Sequence, residues 1–339
     1  MKVLMVGGTG TISESIAAKL AADPDTDLTL LKRSEDRRGL PGSVKIICGD
    51  FRTEGSRIRE LLQGDMYDSV MHFFIFNEED ARKSYDIFRG LTRQFIYIST
   101  NVVLDHTVSC RIDETVKKGN TLSKYGREKR EAEDFLLERS GEDFPVTVVR
   151  PSHTYSRDKL PIGLHGRNTW SVISRMLAGK PVIVHGDGQG IWPHTHADDF
   201  AEWFCPLIAN QDTIGEIYHI MNPKPVTWEE IYRTIAEALG VEFRPVYIST
   251  FLLEHSAYYN WHDEIHGDKY FSNIFDCSKV QAFNPDFVPK IDLKKGCEMY
   301  LDYLEKHPEC KSEDPAFDEW CDRIIAKYEK LKSEFIQDI

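Results

Sequence analysis

A phenol and an ammonium four positions apart share one helix face, and together they form a proton-relay candidate. Tyr-x-x-x-Lys occurs three times: Tyr125–Lys129, Tyr155–Lys159 and Tyr328–Lys332. A free phenol titrates near 10, too high for a base at neutral pH, and a nearby cation favours its ionised form. Context separates the three. Tyr155 lies just before Pro161, where a helix is not expected. Tyr328 lies in a Lys/Glu-rich terminal stretch that reads as a solvated face. Only Tyr125 follows a β-rich run ending in hydroxyls, Ser99-Thr100, and precedes another such run.

A second constellation is Gly7-Gly8-Thr9-Gly10-Thr11-Ile12-Ser13, placed behind an apolar run and ahead of a helical pattern. Pyrophosphate recognition needs such a turn: little side chain, a close backbone and a helix N-terminus aimed at the ligand. Ser13 stands where the last glycine of that pattern packs helix on strand. Gly7, Thr9, Gly10, Thr11 and Ile12 are therefore candidate cofactor contacts. After the second apolar run come Lys32 and Arg33 instead of an acid. Cations there suit a ribose 2′-phosphate, so NADP is expected ahead of NAD. Asp50-Phe51 follows the third run and is expected at the adenine.

These residues need a scaffold. Runs at Lys2–Val6, Leu28–Leu31, Val44–Cys48, Ser69–Phe74, Phe95–Ser99 and Pro145–Val149 alternate with helical spacing such as Ile12, Ile16 and Leu20. That alternation predicts an α/β fold, a Rossmann-type doubly wound parallel sheet. A long helix is predicted from Ser123 to about Arg139. Past Arg150 the texture becomes loop-rich around a helix near Thr169–Leu177, a strand at Val182–His185 and a capping box at Thr227–Glu230 opening a helix to Gly240. Residues 1–150 thus read as the dinucleotide-binding part, 151–310 as a smaller α/β substrate-binding part and 311–339 as a helical extension. No linker separates them.

Taken in order, the glycine turn, Asp50-Phe51, Phe95–Thr100, Tyr125–Glu133, Val149-Arg150-Pro151, His185–Gly188, His196–Asp199 and Asp276–Lys279 resemble the extended short-chain dehydrogenases/reductases, the NAD(P)-dependent epimerase/dehydratase family. The resemblance spans about residues 1–305. It implies Tyr125 as acid/base, Lys129 on the nicotinamide ribose, Thr100 on the reacting oxygen, and Phe74 and Pro151 in the cofactor wall. It also implies that Asp198 or Asp199 caps a helix. Asn101, His153, Trp192 and His194 are expected to wall the substrate. Departures shape the expected substrate. Trp192-Pro193 stand where members acting on nucleotide sugars carry Arg-Asp, which points to an uncharged sugar, polyol or aromatic ketone. The alternative is a nucleotide sugar whose phosphates meet Arg157, Lys159 or Arg167. Asn101-Val102 replace the Asp-Glu pair of dehydratases, so dehydration ranks last among epimerisation, reduction and dehydration. The crossover from His72 to Phe95 is short where the family carries a subunit-pairing helix, which puts the usual interface in doubt and leaves a homodimer open. The chain also resembles the chloroplast stem-loop-binding branch, which leaves a non-catalytic dinucleotide-binding or RNA-associated protein as the rival reading.

Composition narrows the partners. A net charge of −13 argues against phosphate-backbone binding, so nucleic acid is not expected. No run approaches a bilayer span, so no membrane is expected. Seven scattered cysteines without a C-x-x-C pair read as reduced thiols, and the start leaves no room for a signal peptide; a cytoplasmic protein is expected. No metal is expected. His194-x-His196 and His262-x-x-x-His266 lack the H-E-x-x-H pattern, and around the second pair the spacing carries no third ligand.

Overall fold

The computed structural model describes residues 1–338. Seven parallel strands form the central sheet: β1 (Lys2–Val6), β2 (Asp27–Lys32), β3 (Lys45–Cys48), β4 (Ser69–His72), β5 (Phe95–Ile98), β6 (Val146–Pro151) and β7 (Ile217–Ile220). Their order across the sheet is 3-2-1-4-5-6-7, the doubly wound arrangement whose strand order reverses beside β1. A ligand crevice opens at the carboxyl ends there. Val, Leu, Ile and Met supply much of the strands' buried surface, because helices cover both faces. One face packs Val3, Met5, Ile16, Leu20 and Trp203 together, and the other packs Leu4, Val6, Phe88, Phe95, Phe135 and Phe144.

The helices that bear on the crevice are α1 (Thr11–Ala22), α2 (Gly55–Leu61), α3 (Glu78–Phe88) and α4 (Lys124–Glu138). α4 starts at Ser123, whose hydroxyl accepts from the Gly126 N–H at 3.0 Å, and it ends at Arg139. Both ends match the sequence reading. Its inner face carries Ala132, Phe135 and Leu136, as the spacing predicts.

After β6 come α5 (Thr169–Leu177), α6 (Ala197–Phe204), α7 (Trp228–Leu239), α8 (Leu293–Lys306), α9 (Pro315–Asp338) and short strands; all of these helices except α6 contribute to a second core, while α6 packs on the sheet. Thr227 and Glu230 close the expected capping box, and Gly240 ends α7 at φ 69°. This half does not stand apart from the sheet. β7 pairs with β6, and α6 lies against α1. A cut near residue 150 therefore does not divide the structure, since later segments return to complete the first layer. Among the described residues no helix is long and apolar enough to cross a membrane.

Candidate active site

A cavity of about 580 Å³ opens at the carboxyl ends of β1, β4, β5 and β6. Gly10, Thr11, Ile12 and Ser13 line one end, Phe74, Thr100, Tyr125 and Lys129 the middle, and Lys159, Arg167, Asn260, Asp263, Glu264, Asp268 and Lys269 the far wall.

The glycine turn fits a dinucleotide. Gly7 has φ +124°, and a Cβ there would sit 2.8 Å from the Phe74 ring; at Gly8, with φ +111°, it would meet Leu30 at 2.9 Å. Only glycine satisfies both the backbone and the packing. No side chain caps the first turn of α1, so its N–H groups are available to an anion. Ser13 does more than replace a glycine: it is 2 % exposed, and its hydroxyl accepts from the Gly10 N–H at 2.9 Å, bracing the turn. Gly7 and Thr9 shape the turn from beneath and do not reach the cavity wall.

Three of the expected adenine and ribose contacts are differently occupied. Phe51 is 5 % exposed, its ring edge-on to His72 at 4.5 Å, so it belongs to the core under the sheet. Asp50 accepts locally from the Arg52 N–H at 2.9 Å. The Lys32 ammonium is tied to the Asp36 carbonyl, which leaves exposed Arg33, without an ion pair among the described residues, as the free cation at the end of β2.

The relay residues converge. Thr100 lies two residues past β5 at the start of the 101–103 turn, 7 % exposed, and Tyr125 enters on α4, 39 % exposed toward the cavity. Their approach depends on Gly126: a Cβ there would lie 2.4 Å from the Val102 carbonyl oxygen. Burial pushes the Tyr125 phenol up to about 12; Asp268 raises it further, while the Thr100 hydroxyl and Arg167 work the other way. Lys129 is buried and donates to the carbonyls of Ile75 at 2.7 Å and Ile98 at 2.6 Å. An ammonium has three donors, so one remains for a ribose hydroxyl. Burial pulls Lys129 down to about 7, with Glu133 and Asp80 opposing the fall. Beneath it, Glu133 and Arg150 form a buried ion pair at 2.6 Å, and Ser99 donates to the same carboxylate at 2.7 Å. The other two Tyr-x-x-x-Lys matches go elsewhere. Tyr155 is a core residue in the strand His153–Tyr155, its hydroxyl donating to the Asp292 carbonyl at 3.3 Å, and Tyr328 lies on α9.

The substrate wall differs from expectation. Asn101, His153 and Pro151 line the cavity. Trp192 and His194 do not. Trp192, 1 % exposed, pairs opposite Val226 and stacks against Trp228 at 6.4 Å, and His194 is buried beside Tyr155. Strand pairing turns both side chains into the second core. The cap of α6 is His196, whose Nδ1 accepts from the Asp198 N–H at 3.2 Å. Asp199 instead accepts from the Lys290 and Ile291 N–H groups, both at 3.0 Å.

The far wall is a π-helix, His262–Lys269, which presents Asp263, Glu264, Asp268 and Lys269. Sequence reasoning missed it, since nothing local ties this stretch to Tyr125. Its attachment is tertiary: Ser123 donates to Asp263, and Asn120 donates to the Gly267 carbonyl at 2.7 Å. Burial raises the Asp268 carboxyl to about 6, and its Oδ1 makes no hydrogen bond within the described residues. Asn101 Nδ2, Ser152 Oγ and His153 Nδ1 are likewise buried without partners.

The family model described as NAD dependent epimerase/dehydratase family matches residues 3–221. The chain belongs to that family. This family member is an enzyme of the short-chain dehydrogenase/reductase type that uses a nicotinamide dinucleotide, as its sequence led one to expect. It is 25 % identical over 251 residues to 2'-dehydrokanamycin reductase of Streptomyces kanamyceticus, covering 73 % of this chain and 69 % of that protein. It is also 25 % identical over 256 residues to chloroplast stem-loop binding protein of 41 kDa b of Arabidopsis thaliana, covering 70 % of this chain and 63 % of that one. UDP-glucuronic acid 4-epimerase of Bacillus cereus, solved with UDP-glucuronic acid and NAD, superposes with a TM-score of 0.72 at 18 % identity, covering 91 % of this chain and all of that one. That likeness speaks for the shared fold.

Proposed function

We propose that the enzyme transfers hydride at a carbinol or ketone carbon of a sugar-like substrate, with Tyr125 moving the proton on the reacting oxygen. The observation that carries this reading is the convergence of Thr100, Tyr125 and Lys129 in one cavity with four unpartnered buried polar atoms: Asn101 Nδ2, Ser152 Oγ, His153 Nδ1 and Asp268 Oδ1. Buried polar atoms are normally paired. A polyhydroxylated ligand supplies both donors and acceptors for such a set.

A bound nicotinamide supplies the hydride donor or acceptor. In the oxidative direction the Tyr125 phenolate takes the carbinol proton, and in reduction the phenol returns it. The Thr100 hydroxyl holds the same oxygen and restricts its orientation. Lys129 favours the phenolate and offers its third N–H to the nicotinamide ribose. Gly10, Thr11 and Ile12 would hold the pyrophosphate, and Phe74 and Pro151 would wall the cofactor. We assign NADP as the preferred cofactor on the strength of exposed Arg33 and the absence of an acid at the end of β2.

A second reading, a nucleotide sugar, gains from the cavity's charges. Trp192-Pro193 still leave the usual Arg-Asp pair missing, but Trp192 itself lies in the core and offers the substrate no aromatic wall. Lys159 lines the cavity with no side-chain hydrogen bond among the described residues, and burial, with Lys269 and Arg167 nearby, depresses its ammonium. An anionic group would offset that repulsion. Arg157 pairs with Glu14 instead and is not in the wall.

The test is a screen of free sugars, ketones and UDP- or dTDP-sugars, followed by nicotinamide absorbance, with Tyr125→Phe beside the unaltered enzyme. Turnover that vanishes in the variant while cofactor affinity stays within a few-fold supports the relay. Near-normal turnover in Tyr125→Phe refutes it. Calorimetry with UDP then separates the two substrates: binding lost in Lys159→Ala selects the nucleotide sugar, and no binding selects the uncharged one.

A further inference from the structure

The π-helix that walls the cavity has a second face, turned away from it. On that face His262 and His266 stand four positions apart, and both rings direct Nδ1 at a single carboxylate oxygen of Glu254, at 2.9 Å and 2.5 Å. Glu254 follows the short helix Thr250–Leu253, eight and twelve positions upstream of the histidines. It is the third ligand that the His-x-x-x-His spacing alone does not reveal.

We propose that Glu254, His262 and His266 form a binding site for a divalent transition ion of the zinc type, one that fastens the cavity-wall helix to the segment behind it. The donor set is two imidazoles and one carboxylate, a combination suited to tetrahedral zinc with one position left for water. All three ligand atoms lie within 4.8 Å of one another. Ligands about 2.0–2.2 Å from a tetrahedral ion stand roughly 3.3–3.5 Å apart. Each Nδ1 therefore retreats from the carboxylate oxygen by less than about 1 Å to admit the ion, a change within side-chain adjustment.

The surroundings hold the ligands in place. The His266 ring sits edge-on to Phe251 at 5.1 Å and to Tyr270 at 5.2 Å, and the two histidine rings lie 5.5 Å apart, nearly perpendicular. His262 is half-exposed, which gives an ion a path in, while the side chains of Glu254 and His266 are largely covered. Packing that fixes a ligand's orientation lowers the ordering cost of binding.

The site's position gives it a consequence. Glu264, Asp268 and Lys269 on the same helix face the cavity, and Asp263 accepts from Ser123, the cap of α4 that carries Tyr125. An ion bridging residues 254, 262 and 266 restricts the far wall without touching the reacting atoms.

The competing account is a plain hydrogen-bonded trio in which both imidazoles donate to Glu254. The two separate on metal binding. Purified, chelator-treated protein is titrated with Zn²⁺ by calorimetry and with Co²⁺ by visible absorption. Variants Glu254→Gln and His266→Gln are compared with His307→Gln, which alters an exposed histidine outside the site. Glu254→Gln keeps an acceptor for the rings, so the fold survives even where metal binding does not; circular dichroism checks this. The proposal expects one equivalent bound with a Kd at or below about 10 µM, weakened at least tenfold by either site variant and unchanged in His307→Gln. Tetrahedral Co²⁺ absorption and slowed amide exchange at residues 262–270 on Zn²⁺ addition are expected with it. Absence of binding at that affinity, or binding equal in all variants, marks an adventitious surface ion only and overturns the proposal.

Discussion

Replacing Gly126 by alanine tests the catalytic geometry directly, because the added methyl has a defined collision. The residue is helical, so alanine brings no backbone strain and even a higher helix propensity. The obstacle is the Val102 carbonyl oxygen at 2.4 Å, with the carbonyl carbon at 3.1 Å and Val102 Cγ1 at 3.2 Å. Close C···O contacts settle near 3.3 Å or beyond, so α4 and the 101–103 turn must separate by about 0.9 Å. The carbonyl cannot simply swing aside, since Asn120 Nδ2 donates to it at 2.9 Å. Overpacking of this size costs about 1–3 kcal/mol. Tyr125 is the preceding residue and moves with the helix away from Thr100. A displacement near 1 Å at a reacting group costs about a hundredfold in rate. The assay compares Gly126→Ala with Gly141→Ala, a loop glycine whose added methyl meets nothing within 4 Å. Expected are a lower melting temperature, kcat/KM down about a hundredfold and cofactor affinity within a few-fold for the first, and no loss for the second. Turnover within threefold of the unaltered enzyme in Gly126→Ala would refute the reasoning.

The remaining expectations concern charge and role. Arg150→Met removes the buried partner of Glu133 and leaves its carboxylate to Lys118 at 3.2 Å and Ser99, so the cost should fall below the ~3–5 kcal/mol of a fully broken buried pair; a denaturation midpoint close to the original would contradict it. Above pH 6 Asp268 is largely ionised and disfavours the Tyr125 phenolate, so Asp268→Asn lowers the phenol's pKa; the limb on which oxidative turnover rises with pH should move to lower pH, and movement the other way would be inconsistent. Tyr155→Phe keeps the relay, since that ring is fully buried and does not line the cavity, and parallel pH profiles for it and the unaltered enzyme check this. Arg33→Ala should narrow the ratio of NAD to NADP dissociation constants at fixed salt, and an unchanged ratio would remove Arg33 from cofactor selection.

Local chemistry made much of this protein readable from its sequence. The glycine turn, the strand–helix alternation of the first half, the Ser123 start of α4 and the Thr227 box depend on residues within a few positions of one another, where propensity and capping act. The choice of Tyr125 over Tyr155 and Tyr328 followed from the same local context. Burial and long-range pairing decided the rest. Trp192 and His194 are polar-tipped residues near a predicted loop, yet their strands pair with Val226 and His153 and point them into the core. Phe51 is likewise claimed by His72 beneath the sheet. In their place a helix more than a hundred residues beyond Tyr125 closes the cavity and brings Asp268 and Lys269 to it, held by Asn120 and Ser123. Glu254 meets His262 and His266 only because two segments fold back on each other. Sequence spacing reports neighbours along one element, whereas a site assembled from several elements exists only once the chain has packed.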